Sequence, residues 1–166
     1  PDGNRFAIAA DPRPPDPRLG VRHGHEPDQT SLYFVNADGT SGTWWCKNLE
    51  SVSGGVVLGG GEGAVAWSAD SQSLAVLSEL PRIGHHDVST AIDICSASGS
   101  RHIADISNSV SGIAWARGGS EIAFLSTQSA VLTPENVWTV PASGGSAVDR
   151  TPDLTGTAMQ LGGDTQ

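Results

Sequence analysis

The chain has 166 residues and a formal net charge of −9, with only 9 Lys and Arg among them. That balance argues against nucleic acid or anionic lipid as partners, because neutralising phosphate needs clustered cations. The length suffices for one domain with a real core, and no apolar run approaches the ~18 residues of a membrane span. The acidity reads as a solubility feature, and no signal peptide precedes the first strand.

In chain order, Pro1-Asp2-Gly3 is a turn with no strand before it, so the chain reads as a piece cut from a longer repeat array. Arg5-Phe6-Ala7-Ile8-Ala9-Ala10 alternates as a half-buried strand does. From Asp11 to Thr30 the prolines rule out helix and ladder pairing, which predicts an extended, exposed loop carrying Arg22-His23-Gly24-His25-Glu26. Leu32-Tyr33-Phe34-Val35 is the next strand and ends on Asn36-Ala37-Asp38-Gly39; Trp44 and Trp45 lie in the strand after it. Gly59-Gly60-Gly61-Glu62-Gly63 leads into a strand rather than a helix and reads as a flexible connection.

The middle of the chain shows one full unit. It comprises a strand at Val65 to Trp67, a tight turn, a strand at Leu74 to Leu77, and a loop with Arg82-Ile83-Gly84-His85-His86-Asp87. A strand at Ile92 to Cys95, an Ala-x-Gly turn and a strand at Arg101 to Ile106 complete it. Gly112-Ile113-Ala114-Trp115, Glu121-Ile122-Ala123-Phe124-Leu125-Ser126 and Val137-Trp138-Thr139-Val140 repeat its first three strands. Gly144 follows Gly99 by 45 residues, whereas Gly99 follows Gly39 by 60, so one copy carries extra residues.

Repeats of roughly 40–45 residues holding four short strands mark propeller blades. The fold class expected is all-β: a β-propeller fragment of about three four-stranded antiparallel blades, incomplete at both ends. The blade segments are about 1–58, 59–108 and 109–155, with a further blade starting at 156–166. No segment keeps a capped 3.6-residue period, so almost no helix is expected. Trp67 and Trp115 hold equivalent positions, which assigns them to packing between blades, and Trp138 to the wider outer part of its blade. Cys46 and Cys95 each stand alone in an apolar run and read as small buried hydrophobes, with a single disulfide between them left open.

The search for chemistry yields no catalytic residue. G-x-S-x-G is absent; the nearest run, Gly39-Thr40-Ser41-Gly42-Thr43, lacks the last glycine and sits in a turn. P-loop, zincin and dinucleotide fingerprints are missing too, and no cofactor or metal is assigned. Strand polarity puts the two long loops on one rim, which makes His23, His25, His85, His86 and Asp87 the candidate substrate-contact residues. Zinc held by those histidines with Glu26 or Asp87 is the metal version of that reading; solvated loop residues are the plain one.

Ala66-Trp67-Ser68-Ala69-Asp70 followed by Leu74-Ala75-Val76, with Asn136-Val137-Trp138-Thr139-Val140-Pro141-Ala142-Ser143-Gly144-Gly145, resembles the WD-type Pro-Asp-Gly repeat. That repeat builds the N-terminal propellers of the prolyl oligopeptidase family of serine peptidases, and the periplasmic propeller of the bacterial Tol system. The drift from Pro1-Asp2-Gly3 to Ala69-Asp70-Ser71 and Arg117-Gly118-Gly119, with long second-to-third-strand loops, is more similar to the peptidases. The resemblance implies a propeller segment without catalysis of its own, which gates and contacts peptide substrates. Its partner is a C-terminal α/β-hydrolase domain that carries the triad of the parent peptidase. The paired glutamates by which some members hold a substrate amine have no counterpart here. The alternative is a Tol-type protein–protein interaction module. Cytoplasmic, periplasmic and secreted settings are all compatible.

Overall fold

The computed structural model describes residues 3–10, 30–49, 65–80, 89–107, 110–127 and 135–153. Among these there is no helix, and the strands form three antiparallel sheets. The first sheet is β1 (Arg5–Ala10), β2 (Thr30–Asn36) and β3 (Thr43–Leu49). The second is β4 (Val65–Trp67), β5 (Ser73–Leu80), β6 (Ser89–Ser96) and β7 (Gly99–Ile106). The third is β8 (Val110–Trp115), β9 (Glu121–Thr127), β10 (Glu135–Pro141) and β11 (Val148–Asp149). Strand neighbours in each sheet are also neighbours in sequence, so each sheet is a meander.

The repeat holds to the residue. Phe6 pairs with Val35, Leu74 with Cys95 and Ile122 with Val140. Each first partner lies three residues after a residue of positive φ (Gly3 at 69°, Ser71 at 57°, Gly119 at 68°). Each second partner lies four residues before another, namely Gly39, Gly99 or Gly144. Left-handed backbone suits glycine because a Cβ crowds the carbonyl there, so Ser71 holds a conformation its two counterparts adopt freely. The turn bonds recur as well: Ser71 N–H donates to Ser68 O at 2.9 Å, and Gly119 N–H to Ala116 O at 2.8 Å.

One irregularity is itself repeated. The register slips between Leu32 and Tyr33 where β2 meets β3, and between Ile92 and Asp93 where β6 meets β7. The extra residues are Trp45 and Ile103, and both are buried. A bulge re-aims one side chain without ending the ladder, and here it turns a bulky residue of the last long strand into the space between sheets.

Packing follows from period-two alternation, with the second sheet buried on both faces. From the second sheet, Leu74, Val76 and Cys95 join Leu32, Phe34, Trp45 and Cys46 of the first in one core. Ala75, Leu77, Ile92, Ile94 and Ile103 join Ile113, Ile122, Phe124 and Val140 of the third in another. Leu74, Ile92, Ile122, Phe124 and Val140 are entirely buried; each large aliphatic side chain so placed contributes about 1.5–3 kcal/mol. Aromatic rings complete the first core: Phe34 stacks on Trp45 at 3.9 Å and meets Trp67 edge-on at 5.4 Å.

Cys46 and Cys95 are not the separate buried thiols that their isolation in sequence suggests. They form a disulfide with a Cα–Cα distance of 5.8 Å, bonding β3 of the first sheet to β6 of the second. Their sequence separation is 49, and closing a loop of that length restrains the unfolded chain by about 4 kcal/mol. Reduction, or replacement of both by alanine, should therefore lower the stability read from urea unfolding by a large part of ~4 kcal/mol. An unchanged midpoint under reductant would show that the bond contributes nothing to the fold.

Candidate functional site

Among the described residues, an open depression lies between the second and third sheets, where the tight turns gather. It has a volume of about 600 Å³, and Ile94, Arg101 and Trp115 line it together with the turns at Ser68 to Ser73 and Arg117 to Ser120 and the Ala142-Ser143 pair.

The turn from β4 to β5 is held by one hydroxyl and one carboxylate. Ser68 Oγ donates to Asp70 Oδ1 at 2.6 Å and accepts from Ser73 N–H at 2.9 Å, while Gln72 N–H donates to the same Asp70 oxygen at 3.0 Å. The Ser68 hydroxyl above all, then the Gln72 amide, hold the Asp70 carboxyl below its ordinary pKa. Asp38, in the β2–β3 turn, is lowered in the same way by the Thr40 hydroxyl and amide. These polar clasps define turns whose backbone would otherwise have no ladder to satisfy it.

Two contacts cross the cleft. Trp115 Nε1–H donates to Ala66 O at 2.8 Å, joining β8 to β4. Arg101, near the start of β7, reaches over with Nη2 to donate to Ala142 O at 2.7 Å. Arg117 takes the position that Ala69 holds in the previous turn, and it is exposed. Among the described residues neither Arg101 nor Arg117 pairs with a carboxylate, whereas Arg150 pairs with Glu121 at 2.8 Å.

A second polar chain runs across the opposite face of the second sheet. Ser78 Oγ donates to Asp93 Oδ2 at 2.9 Å, Asp93 Oδ1 lies 3.1 Å from His102 Nδ1, and His102 Nε2 lies 3.4 Å from Asp105. The residue types are those of a hydrolase triad, but the order is wrong. The hydroxyl bonds to the carboxylate rather than to the imidazole, so no base stands ready to take its proton. Among the described residues no group of three or more His, Cys, Asp or Glu is placed to hold a metal ion.

His23, His25, Glu26, His85, His86 and Asp87 lie outside the described residues. The nearest sequence counterpart of a nucleophile elbow, around Ser41, sits beside an aromatic clasp. Ser41 has a φ of 54°, and a Cβ at Gly42 would fall inside the Tyr33 phenol, which itself packs on Trp44 at 5.0 Å. Sequence reasoning passed over Arg101, Arg117 and Asp70. The available signal was Arg117 standing at the proline position of a Pro-Asp-Gly-type turn, where no turn geometry calls for a guanidinium.

No family model matches the chain, and no curated protein does.

Two outcomes test this geometry. Because the folded Asp70 carboxyl titrates below its unfolded value, its contribution is present above about pH 4 and is lost as pH falls through the folded value. Unfolding measured from pH 5 to pH 2 (both on the order of the Asp range) should show a smaller acid loss in Asp70→Asn than in the parent. Trp115→Phe keeps an aromatic side chain but removes the N–H and the five-membered part of the indole, and with it the bond to Ala66 O. It should cost about 1–2 kcal/mol in urea unfolding; no loss would mean that water replaces the bond.

Proposed function

We propose that the three sheets are successive blades of a β-propeller, and that this segment is a non-catalytic module of a prolyl-oligopeptidase-type serine peptidase. In that reading it gates and contacts peptide substrates for a C-terminal α/β-hydrolase domain of the parent polypeptide. The observation that carries it is the register. The β1–β2, β5–β6 and β9–β10 pairs share one register and the same left-handed turn positions, and the first two sheets share a bulge. They stack face to face, with a first-strand tryptophan bonded to the first strand of the neighbour, as blades around an axis do. Drifted turns and long loops between second and third strands support the peptidase over a more regular array.

The Cys46–Cys95 disulfide favours an oxidising compartment. That supports a periplasmic or secreted setting over a cytoplasmic one, and it leaves room for the second reading, a Tol-type interaction propeller.

The test is made on the parent protein. Its coding sequence beyond Gln166 should reach further blades and then a G-x-S-x-G elbow with downstream Asp and His. A fluorophosphonate probe should label that full-length protein and leave the 166-residue chain unlabelled. A stop codon after the last blade, with no labelling of the parent, would replace the peptidase by the interaction module.

A further inference from the structure

We propose that the cleft between the second and third sheets is a recognition site for a carboxylate-bearing peptide segment, with Arg117 and Arg101 as its binding groups. This goes beyond the peptidase reading, and it holds whether the parent is a hydrolase or an interaction module.

The argument starts from charge. In a chain of net charge −9, two of the few cations line one cavity, and among the described residues neither has a carboxylate partner. Arg101 is pre-positioned, since one of its nitrogens is fixed to Ala142 O while the others remain to donate. Arg117 is exposed in a turn whose left-handed backbone falls on Gly119. Guanidinium groups recognise carboxylates through paired, directional hydrogen bonds, and a tethered one has already lost part of the freedom that binding would otherwise cost.

The rest of the cavity suits a peptide. Ile94 and half-buried Trp115 give an apolar floor, and the hydroxyls of Ser68, Ser73, Ser120 and Ser143 stand among the lining groups. A volume of about 600 Å³ accommodates a few side chains, and polar and charged groups beside Ile94 and Trp115 offer a peptide both hydrogen-bonding and apolar contacts. The one opposing charge is Asp70. Its Oδ1 is occupied by Ser68 and Gln72 within its own turn, and among the described residues no ion pair joins it to either arginine, so it opposes the ligand by charge.

The carboxylate could belong to Glu side chains or to a chain terminus, and two fluorescein-labelled peptides separate these. One is Glu-rich with an amidated C-terminus; the other has Gln in place of Glu and a free C-terminus. An amidated Gln peptide is the control. Fluorescence anisotropy with the full chain should show saturable binding of one or both carboxylate peptides and none of the control. Arg117→Gln should weaken that binding about tenfold, and Asp70→Asn, which keeps the turn acceptor, should tighten it about threefold. Raising salt should weaken it in the parent more than in Arg117→Gln. Because Arg117 is exposed and its side chain forms no hydrogen bond or ion pair among the described residues, loss of binding in that variant is separable from unfolding, and the circular dichroism spectrum checks this. Failure of both carboxylate peptides to bind, equal binding of the control, or unchanged affinity in Arg117→Gln would each overturn the assignment. None of these outcomes bears on whether a hydrolase domain follows.

Discussion

A sheet that is apolar on both faces has no stable existence alone, and the second sheet is such a sheet. Leu74, Val76 and Cys95 on one side and Ala75, Leu77, Ile92 and Ile94 on the other are all buried. They are buried because a neighbour lies against each face. Everything else in the architecture follows from that double burial. Neighbours must present the same pleat at the same level, which forces a common register; a common register forces turns at common positions. A one-residue slip in any hairpin would turn its apolar set away from one neighbour and into the other.

Seen this way, the two equivalent tryptophans do different work. Trp67 meets the first sheet, where Phe34 and Trp45 supply rings, and it packs edge-on against both. Trp115 meets the second sheet, where the equivalent space holds Ile94, and it spends its indole N–H on Ala66 O instead. The position requires a wide, flat side chain; the neighbour decides which part of that side chain is used. Trp138 shows the cost of the same choice without a partner, since its buried indole nitrogen has no hydrogen-bond acceptor among the described residues. An orphaned N–H of this kind costs about 1–3 kcal/mol, so the packing of its ring has to offset that loss.

The repeat was legible in the sequence because turns and pleats leave local signatures. Gly39 marks the turn between β2 and β3, Gly99 and Gly144 mark the matching turns from β6 to β7 and from β10 to β11, and the alternating runs mark the strands. What the structure adds depends on relations between sheets, which no local pattern records. Cys46 pairs opposite Leu32 where the second sheet sets Ala104 opposite Ile92, and Cys95 stands where the other sheets have Val35 and Val140. The cysteines are thus at unrelated repeat positions, and only the stacking of two sheets makes them partners. Ser71 was hidden for another reason. Its left-handed backbone is imposed by the turn around it, and the serine itself gives no hint of positive φ, which shows only in its alignment with Gly3 and Gly119. Arg101 and Arg117 are 16 residues apart in sequence and meet only because a cleft opens between their sheets.

That cleft illustrates where a repeat architecture leaves room for function. Within each tight turn some positions are fixed by physics. One residue must accept left-handed backbone, and the turn's own amides must be satisfied: at Ser68 to Ser73 by a hydroxyl and a carboxylate, at Ala116 to Glu121 by main-chain bonds. The residue that precedes the last two of the motif is under neither demand, and it is Pro1, Ala69 and Arg117 in the three copies. Ala69 and Arg117 sit at the mouth between the second and third sheets, both exposed, where a change of side chain leaves register and core untouched. A binding group placed there inherits a rigid mount at no cost to the fold, which is why drift from the consensus turn, the very feature that weakens the repeat signal, is the place to look for recognition chemistry.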